Sequence, residues 1–152
     1  MKLLRVYVDT SVFGGCFDKE FDRVSRKFFA EVAQGRFRLV VSSLTADELK
    51  GAPQTVRAIL DTVPTEQMEY HEITDDMAAL RDAYIKARVL GAASDSDALH
   101  VAAATVLDVD MVVSWNFKHI VHFEKIAGFN AINALRNYKP IRIFSPWEVV
   151  RP

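Results

Sequence analysis

The sequence predicts a three-layer α/β/α sandwich built on a central, mainly parallel β-sheet. Two features point to it. Short apolar runs rich in branched residues, at 3–8, 37–41, 111–114 and 141–144, alternate with longer segments of helical periodicity. That is the pattern of parallel strands joined by crossover helices. No repeat, low-complexity tract or Ser/Gly-rich linker divides the 152 residues, so one domain over 1–152 is expected.

The first strand, 3–8, is interrupted only by Arg5 and breaks into Asp9-Thr10-Ser11-Val12-Phe13-Gly14-Gly15, a turn-rich segment read as a loop. Over 22–33, Val24, Phe28, Phe29 and Val32 recur at helical spacing, and Gly35 closes the helix. A second strand covers 37–41. Thr45-Ala46-Asp47-Glu48 has the form of a capping box opening a short helix, which Gly51 and Pro53 stop. Residues 54–63 form a further helix, and 69–73 are either a third strand or an extended connector. Thr74 caps a long amphipathic helix reaching about residue 90, where Gly91 ends it. Ser94 or Ser96 caps an Ala-rich helix over 97–107. After the strand 111–114, residues 118–136 are mostly helical, with Gly128 a break point, and 141–144 is the last strand.

Half of the residues are hydrophobic and 26% are charged, a composition that excludes disordered and collagen-like chains. A chain of this length buries a core without disulfides or structural metal. Its single cysteine, Cys16, has no partner pattern and is read as inert in a reducing compartment. Met1-Lys2-Leu3-Leu4-Arg5 turns charged too early for a secretory signal, and no apolar run approaches the roughly 20 residues of a membrane span. A soluble, cytoplasmic protein without a membrane partner is expected. The net charge of −1 hides an uneven distribution: 10 Lys/Arg against 7 Asp/Glu in 1–60, 3 against 11 in 61–110, and 6 against 2 in 111–152. This excludes a bulk polycation, so a negatively charged substrate needs a local basic rim or a bound cation.

In open α/β sheets ligands bind beyond the carboxyl ends of the strands. Asp9 directly follows the first strand, and 111–114 delivers Ser114, Trp115 and Asn116 to the same edge. Glu48 and Asp97 stand near helix starts, which face that edge in such folds. Asp9, Glu48, Asp97 and Asn116 are therefore the candidate catalytic set, and such hard oxygen donors suit Mg²⁺ or Mn²⁺ rather than zinc. Each has a structural alternative. Asp9 serves equally as a turn former, and Glu48 as the capping-box acid of Thr45, with Asp47 as its control. Asp97 serves as a first-turn acid on the helix dipole. Asp95 competes with Asp97, and about 200° of helical rotation separates them, so both do not face one cleft. Thr10 and Ser11 either orient Asp9 or cap a turn.

His100 and His119 are read as packed or solvent-facing rather than as bases or phosphate contacts, and Lys118 is a better phosphate-contact candidate than either. Trp115 and Phe117 either stack on a base or are buried, and their place at a strand end favours burial. Phe13, Phe17 and Phe21 are either core or interface.

Val8-Asp9-Thr10-Ser11-Val12, Leu44-Thr45-Ala46-Asp47-Glu48-Leu49, Asp97-Ala98-Leu99-His100-Val101-Ala102-Ala103-Ala104 and Val112-Val113-Ser114-Trp115-Asn116-Phe117 resemble, in order and through nearly the whole chain, the four motifs of the PIN domain family. The resemblance implies a metal-dependent ribonuclease of the VapC type, the toxin of a toxin–antitoxin pair. It also implies a small antitoxin partner, a homodimer, and products with a 5′-phosphate and a 3′-hydroxyl. On this reading Asp9 and Asp97 hold Mg²⁺ or Mn²⁺, and Glu48 completes the acidic pocket directly or through water. Many family members carry an acid where this chain has Asn116, which adds no negative charge and is an auxiliary residue. The alternative is a degenerate PIN-like module that binds RNA or protein without cutting. A phosphate-accepting regulatory domain lacks the Asp-Asp pair it needs here. A haloacid-dehalogenase-like phosphatase requires Asp-x-Asp where this chain reads Asp9-Thr10-Ser11.

Overall fold

The computed structural model describes residues 3–152. Along the chain run β1 (Leu4–Val8), α1 (Thr10–Gly15), α2 (Asp22–Ala33), β2 (Phe37–Ser42), α3 (Ser43–Lys50), α4 (Gln54–Asp61), β3 (Met68–His71) and α5 (Asp75–Lys86). They are followed by α6 (Asp95–Val106), β4 (Met111–Val113), α7 (Phe123–Leu135), β5 (Ile143–Phe144) and α8 (Pro146–Val149). The five strands form one sheet in the order β3-β2-β1-β4-β5, with every pair parallel.

Strand alternation sorts the side chains into two cores. Val6, Val8, Leu39, Val41 and Val113 face one way and pack with Val12, Phe13, Phe28, Phe29, Val32, Leu49 and Val56 from α1–α4. Tyr7, Val40, Val112 and Ile143 face the other way, against Met77, Leu80 and Tyr84 of α5, Val101 and Ala104 of α6 and Phe129 of α7. Helices thus cover both faces, which is why the strands read as nearly continuous apolar runs. Among the described residues no helix is long and apolar enough to cross a membrane.

The segment read as a loop after β1 is the helix α1. Asp9, with extended backbone, precedes it, and Val12 and Phe13 turn into the core. Gly15 reads as a turn signal but serves packing: a Cβ there would lie 2.5 Å from Ser25 Oγ and 2.7 Å from Trp115 Nε1. Gly128 likewise marks close approach rather than a break, since its Cβ would meet Val89 Cγ1 at 2.8 Å, and α7 runs through it. That helix begins only at Phe123, after turns, rather than at residue 118. The long helix after Thr74 ends at Lys86, short of residue 90, with Arg88 in the left-handed region (φ 62°). Residues 68–71 form a true strand. Helix α8 is not among the elements expected from the sequence, although Ser145 and Glu148 carry its capping box openly, with the Ser145 backbone N–H donating to Glu148 Oε2 at 2.7 Å.

Near the amino ends of the strands a polar clamp ties β1 to β3 across β2. Arg5 donates to both carboxylate oxygens of Glu69, each at 2.9 Å, a bidentate geometry that favours strength and fixed orientation. Arg38 Nε lies 3.0 Å from Glu69 Oε2 and His71 Nε2 3.0 Å from Oε1. The Arg5 hydrogen bond, aided by those from His71 and the nearby charges, holds the Glu69 carboxyl down at about 2. A depressed carboxyl stabilises the fold above its unfolded value, and that contribution fades as pH falls through its folded value. Glu69→Gln should therefore cost about 1 kcal/mol at pH 7, within the range of partly exposed ion pairs. In urea unfolding at a series of pH values, the gap between parent and variant should close between the ordinary carboxylate range and pH 2. A gap that persists unchanged at pH 2 would assign the loss to packing instead.

Candidate active site

Asp9 stands at the carboxyl end of β1, the strand from which the chain order departs in both directions, the position where open sheets of this kind leave a ligand crevice. Its backbone continues the extended conformation of the strand, so its side chain follows Tyr7 to the face that carries α6. There it is buried. Burial raises its pKa above the ordinary carboxylate value. The charge of Asp97 pushes in the same direction, while His100 and the hydroxyls of Ser11 and Ser114 act to lower it. Ser11 Oγ donates to Asp9 Oδ1 at 2.6 Å.

Helix α6 begins at Asp95, two residues ahead of the expected start, so both competing acids lie in its first turn. The rotation between them separates their surroundings: Asp95 is exposed and Asp97 half-buried, and it is Asp97 whose charge reaches Asp9. One turn further along the same helix, His100 is 2% exposed.

Glu48 has a different setting from the one its sequence suggested. Helix α3 starts at Ser43, and its cap is the reciprocal pair of Ser42 and Thr45, with the Ser42 backbone N–H donating to Thr45 Oγ1 at 3.4 Å. Glu48 therefore lies beyond the first turn and plays no part in the cap. Its Oε1 accepts instead from Thr10 Oγ1 at 2.6 Å and lies 2.5 Å from His100 Nε2. Burial acts to raise its pKa, but the hydrogen bond and charge of His100 and the bond from Thr10 outweigh it and leave the pKa lowered.

His100 Nδ1 lies 2.7 Å from the Tyr7 hydroxyl, which is 2.8 Å from Ser42 Oγ. With a proton on Nε2 donated to Glu48, the row closes through the Tyr7 hydroxyl, which bonds both Nδ1 and Ser42 Oγ. Tyr7 keeps its proton because burial raises its pKa far above the usual phenol value. His100, expected as a packed or solvent-facing side chain, and Tyr7 both lie outside the set of site residues expected from the sequence. The signal was a tyrosine in the middle of a parallel sheet, whose hydroxyl must find a partner when buried.

Asn116 is joined to Asp9 through hydroxyls rather than by contact. Its backbone N–H donates to Ser114 Oγ at 2.9 Å, Ser114 Oγ is 3.4 Å from Ser11 Oγ, and Ser11 holds Asp9. The Asn116 amide oxygen accepts the His119 backbone N–H at 2.9 Å, fixing the turn that follows β4. His119 Nδ1 is buried without a hydrogen-bond partner among the described residues, and Lys118 is exposed.

Among the described residues no three Asp, Glu, His or Cys side chains are gathered into a ready-made metal cage. With Glu48 engaged by His100 and Thr10, the acids left to meet at the crevice are Asp9 and Asp97. Two carboxylates fit Mg²⁺ or Mn²⁺, hard cations that keep several waters and take one or two protein carboxylates.

No family model and no curated protein matches the sequence. Solved structures that share its fold include two at 12% identity. A tyrosyl-tRNA synthetase from Aeropyrum pernix superposes with a TM-score of 0.52 at 12% identity over 93% of this chain, which spans only 52% of that one. VapBC2 from Rickettsia felis, solved bound to a DNA fragment from its promoter, superposes with a TM-score of 0.57 at 12% identity, over 93% of this chain and 98% of the matched chain. Likeness over nearly the full length of both chains establishes a shared three-layer α/β architecture with VapBC2.

Proposed function

We propose that this chain is a divalent-metal-dependent ribonuclease that hydrolyses RNA phosphodiester bonds, with Asp9 and Asp97 holding Mg²⁺ or Mn²⁺. The observation that carries the reading is the pairing of a buried carboxyl at the carboxyl end of β1 with a second, half-buried acid in the first turn of α6, the helix on the face that Asp9 enters. When bound, the cation supplies charge to a phosphoryl oxygen and lowers the pKa of a water. Ser11 fixes one oxygen of Asp9 and so sets the direction of its remaining lone pairs. Glu48, kept ionised by His100 and Thr10 through Oε1, retains Oε2 to orient a water and take its proton. Clustered carboxylates repel a phosphodiester, so cleavage requires the cation, which also strengthens binding.

The reading extends to a toxin with a small antitoxin partner and a homodimeric assembly. The full-length likeness in fold to VapBC2 supports it, as do the exposed Phe123 and Leu135 at the two ends of α7; Leu135 lines a depression with Ala79, Ala83 and Ile132, rimmed by Asp82, Lys86 and Arg136. One observation favours a non-catalytic binding module instead: Asn116 adds no charge, and its amide oxygen is occupied by His119 N–H.

A labelled RNA panel incubated with Mn²⁺, Mg²⁺ or EDTA separates the two. Cleavage that needs the metal should fall more than about 100-fold in Asp97→Asn, beyond the 10–100-fold typical of losses outside the ligand set. The neighbouring exposed acid is the control, and Asp95→Asn should stay within about twofold of the parent. Folded protein that neither cuts RNA nor binds Mn²⁺ in calorimetry would establish the binding module.

A further inference from the structure

Across Ser11 from Asp9 lies a cluster of four aromatic rings that the cleavage chemistry does not use, its inner rings packed in the core on the α1–α4 face of the sheet. Its inner pair is fixed. Trp115 is buried, donates through Nε1 to Ser25 Oγ at 2.8 Å, and has Phe21 stacked on it with centroids 4.1 Å apart and planes 22° apart. The outer pair, Phe117 and Trp147, stack on one another at 5.8 Å and 22° and rest edge-on against Trp115, at 6.2 Å and 4.7 Å. These outer rings are 41% and 50% exposed. A core that needed only to be closed would bury them. Here three separate elements, the loop before α2, the end of β4 and α8, present two rigid aromatic surfaces to solvent.

The cluster is wired to the candidate site. The Trp115 backbone N–H donates to Ser11 Oγ at 2.9 Å, the same hydroxyl that holds Asp9, and Phe117 directly follows Asn116. Its charge setting suits an anion. The rings come from 1–60 and 111–152, the two stretches with a cationic excess, whereas the acidic stretch 61–110 contributes none of them. Lys118 is exposed next to Phe117. Lys27 Nζ bonds the Arg151 carbonyl just past α8. Arg26 lies 4.9 Å over the ring of Phe17, itself 46% exposed.

We propose that Phe117 and Trp147 form a stacking platform for an unpaired base of single-stranded RNA, flanking the phosphodiester presented to Asp9 and Asp97. The platform rests on the nuclease reading for its substrate and adds to it a preference for strands whose bases are free. Aromatic faces accept any base, because every base has a π-face, and flanking cations take the phosphates. Bases stacked inside a duplex cannot reach such rings.

The chain has only two tryptophans, and the exposed one belongs to the platform, so stacking reports on itself through fluorescence. The measurement is a titration with octauridylate in an Asp9→Asn background, which removes cleavage together with one repelling carboxylate. Quenching should saturate with the single strand and be absent with a duplex of the same length. Phe117→Leu, which keeps apolar bulk but loses the π-face, should weaken binding about tenfold, as loss of one base stack does. Phe117→Tyr should restore it to within about twofold. In the cleavage-competent protein Phe117→Leu should raise KM about tenfold and leave kcat unchanged. An affinity indifferent to Phe117→Leu, or equal quenching by duplex, would overturn the platform, and if metal-dependent cleavage with an unchanged KM accompanied it, the nuclease reading would stand alone. Quenching that depends on Phe117 in a protein that cuts nothing with any metal would instead keep the platform and remove the nuclease.

Discussion

Asp9→Asn is expected to stabilise the metal-free protein while abolishing its metal-dependent cleavage. Burial raises the Asp9 pKa, and the Asp97 charge adds to the rise. A carboxyl raised in the folded state favours folding only while protonated. That contribution is complete below the ordinary carboxylate range and is lost as pH rises through the folded value. At neutral pH an ionised Asp9 is therefore a cost to the fold, and Asn removes the charge while keeping an oxygen for Ser11. A gain of about 1 kcal/mol corresponds to a Tm higher by roughly 2–4 °C for a chain of this size. Saturating Mn²⁺ should reverse the order: a cation at 100 times its Kd stabilises the parent by about 2.7 kcal/mol, and the variant, lacking the ligand, should gain almost nothing. Thermal unfolding of both proteins in EDTA and in Mn²⁺ checks all four values. A variant that is less stable in EDTA and still shifted by Mn²⁺ would remove Asp9 from the ligand set.

The same residue shows how far the sequence can be read. A carboxylate immediately after a buried apolar run is a local signal, and strand alternation carries it to the α6 side without knowledge of any partner. The helix over Asp22–Ala33 and the Thr74 cap are local too, and both stand where periodicity and capping put them. Elements were lost where one residue type serves two purposes. Gly14-Gly15 reads as a turn, yet Gly15 is small because Ser25 and Trp115 occupy the space of a side chain. Thr45 reads as a cap opening toward Glu48, yet it is itself the acceptor for Ser42. The row from Ser42 through Tyr7 and His100 to Glu48 spans 35, 93 and 52 residues of sequence at its successive links. Only the sheet order, with β2 and β4 both beside β1, brings those links together.

That row sets the second large effect, on removing His100. His100→Ala leaves Tyr7 with Ser42, leaves Glu48 with Thr10, and opens a cavity in a fully packed layer, at an expected cost of about 2–4 kcal/mol in urea unfolding. Glu48→Ala should be milder, because that side chain is only half-buried. The double variant should show a coupling of roughly 1–3 kcal/mol, as residues that share a hydrogen bond do. Cleavage rates in saturating Mn²⁺ then separate two roles for the imidazole. If His100 acts by aiming and ionising Glu48, its removal should slow cleavage about 10–100-fold. It should slow the Glu48→Ala protein hardly further, since there is nothing left to aim. If the ring itself carried a proton in the reaction, the two losses would multiply. The bonds favour the first outcome: both ring nitrogens are engaged, one by the Tyr7 hydroxyl and one by Glu48, so a base would have to break a buried bond before it could work.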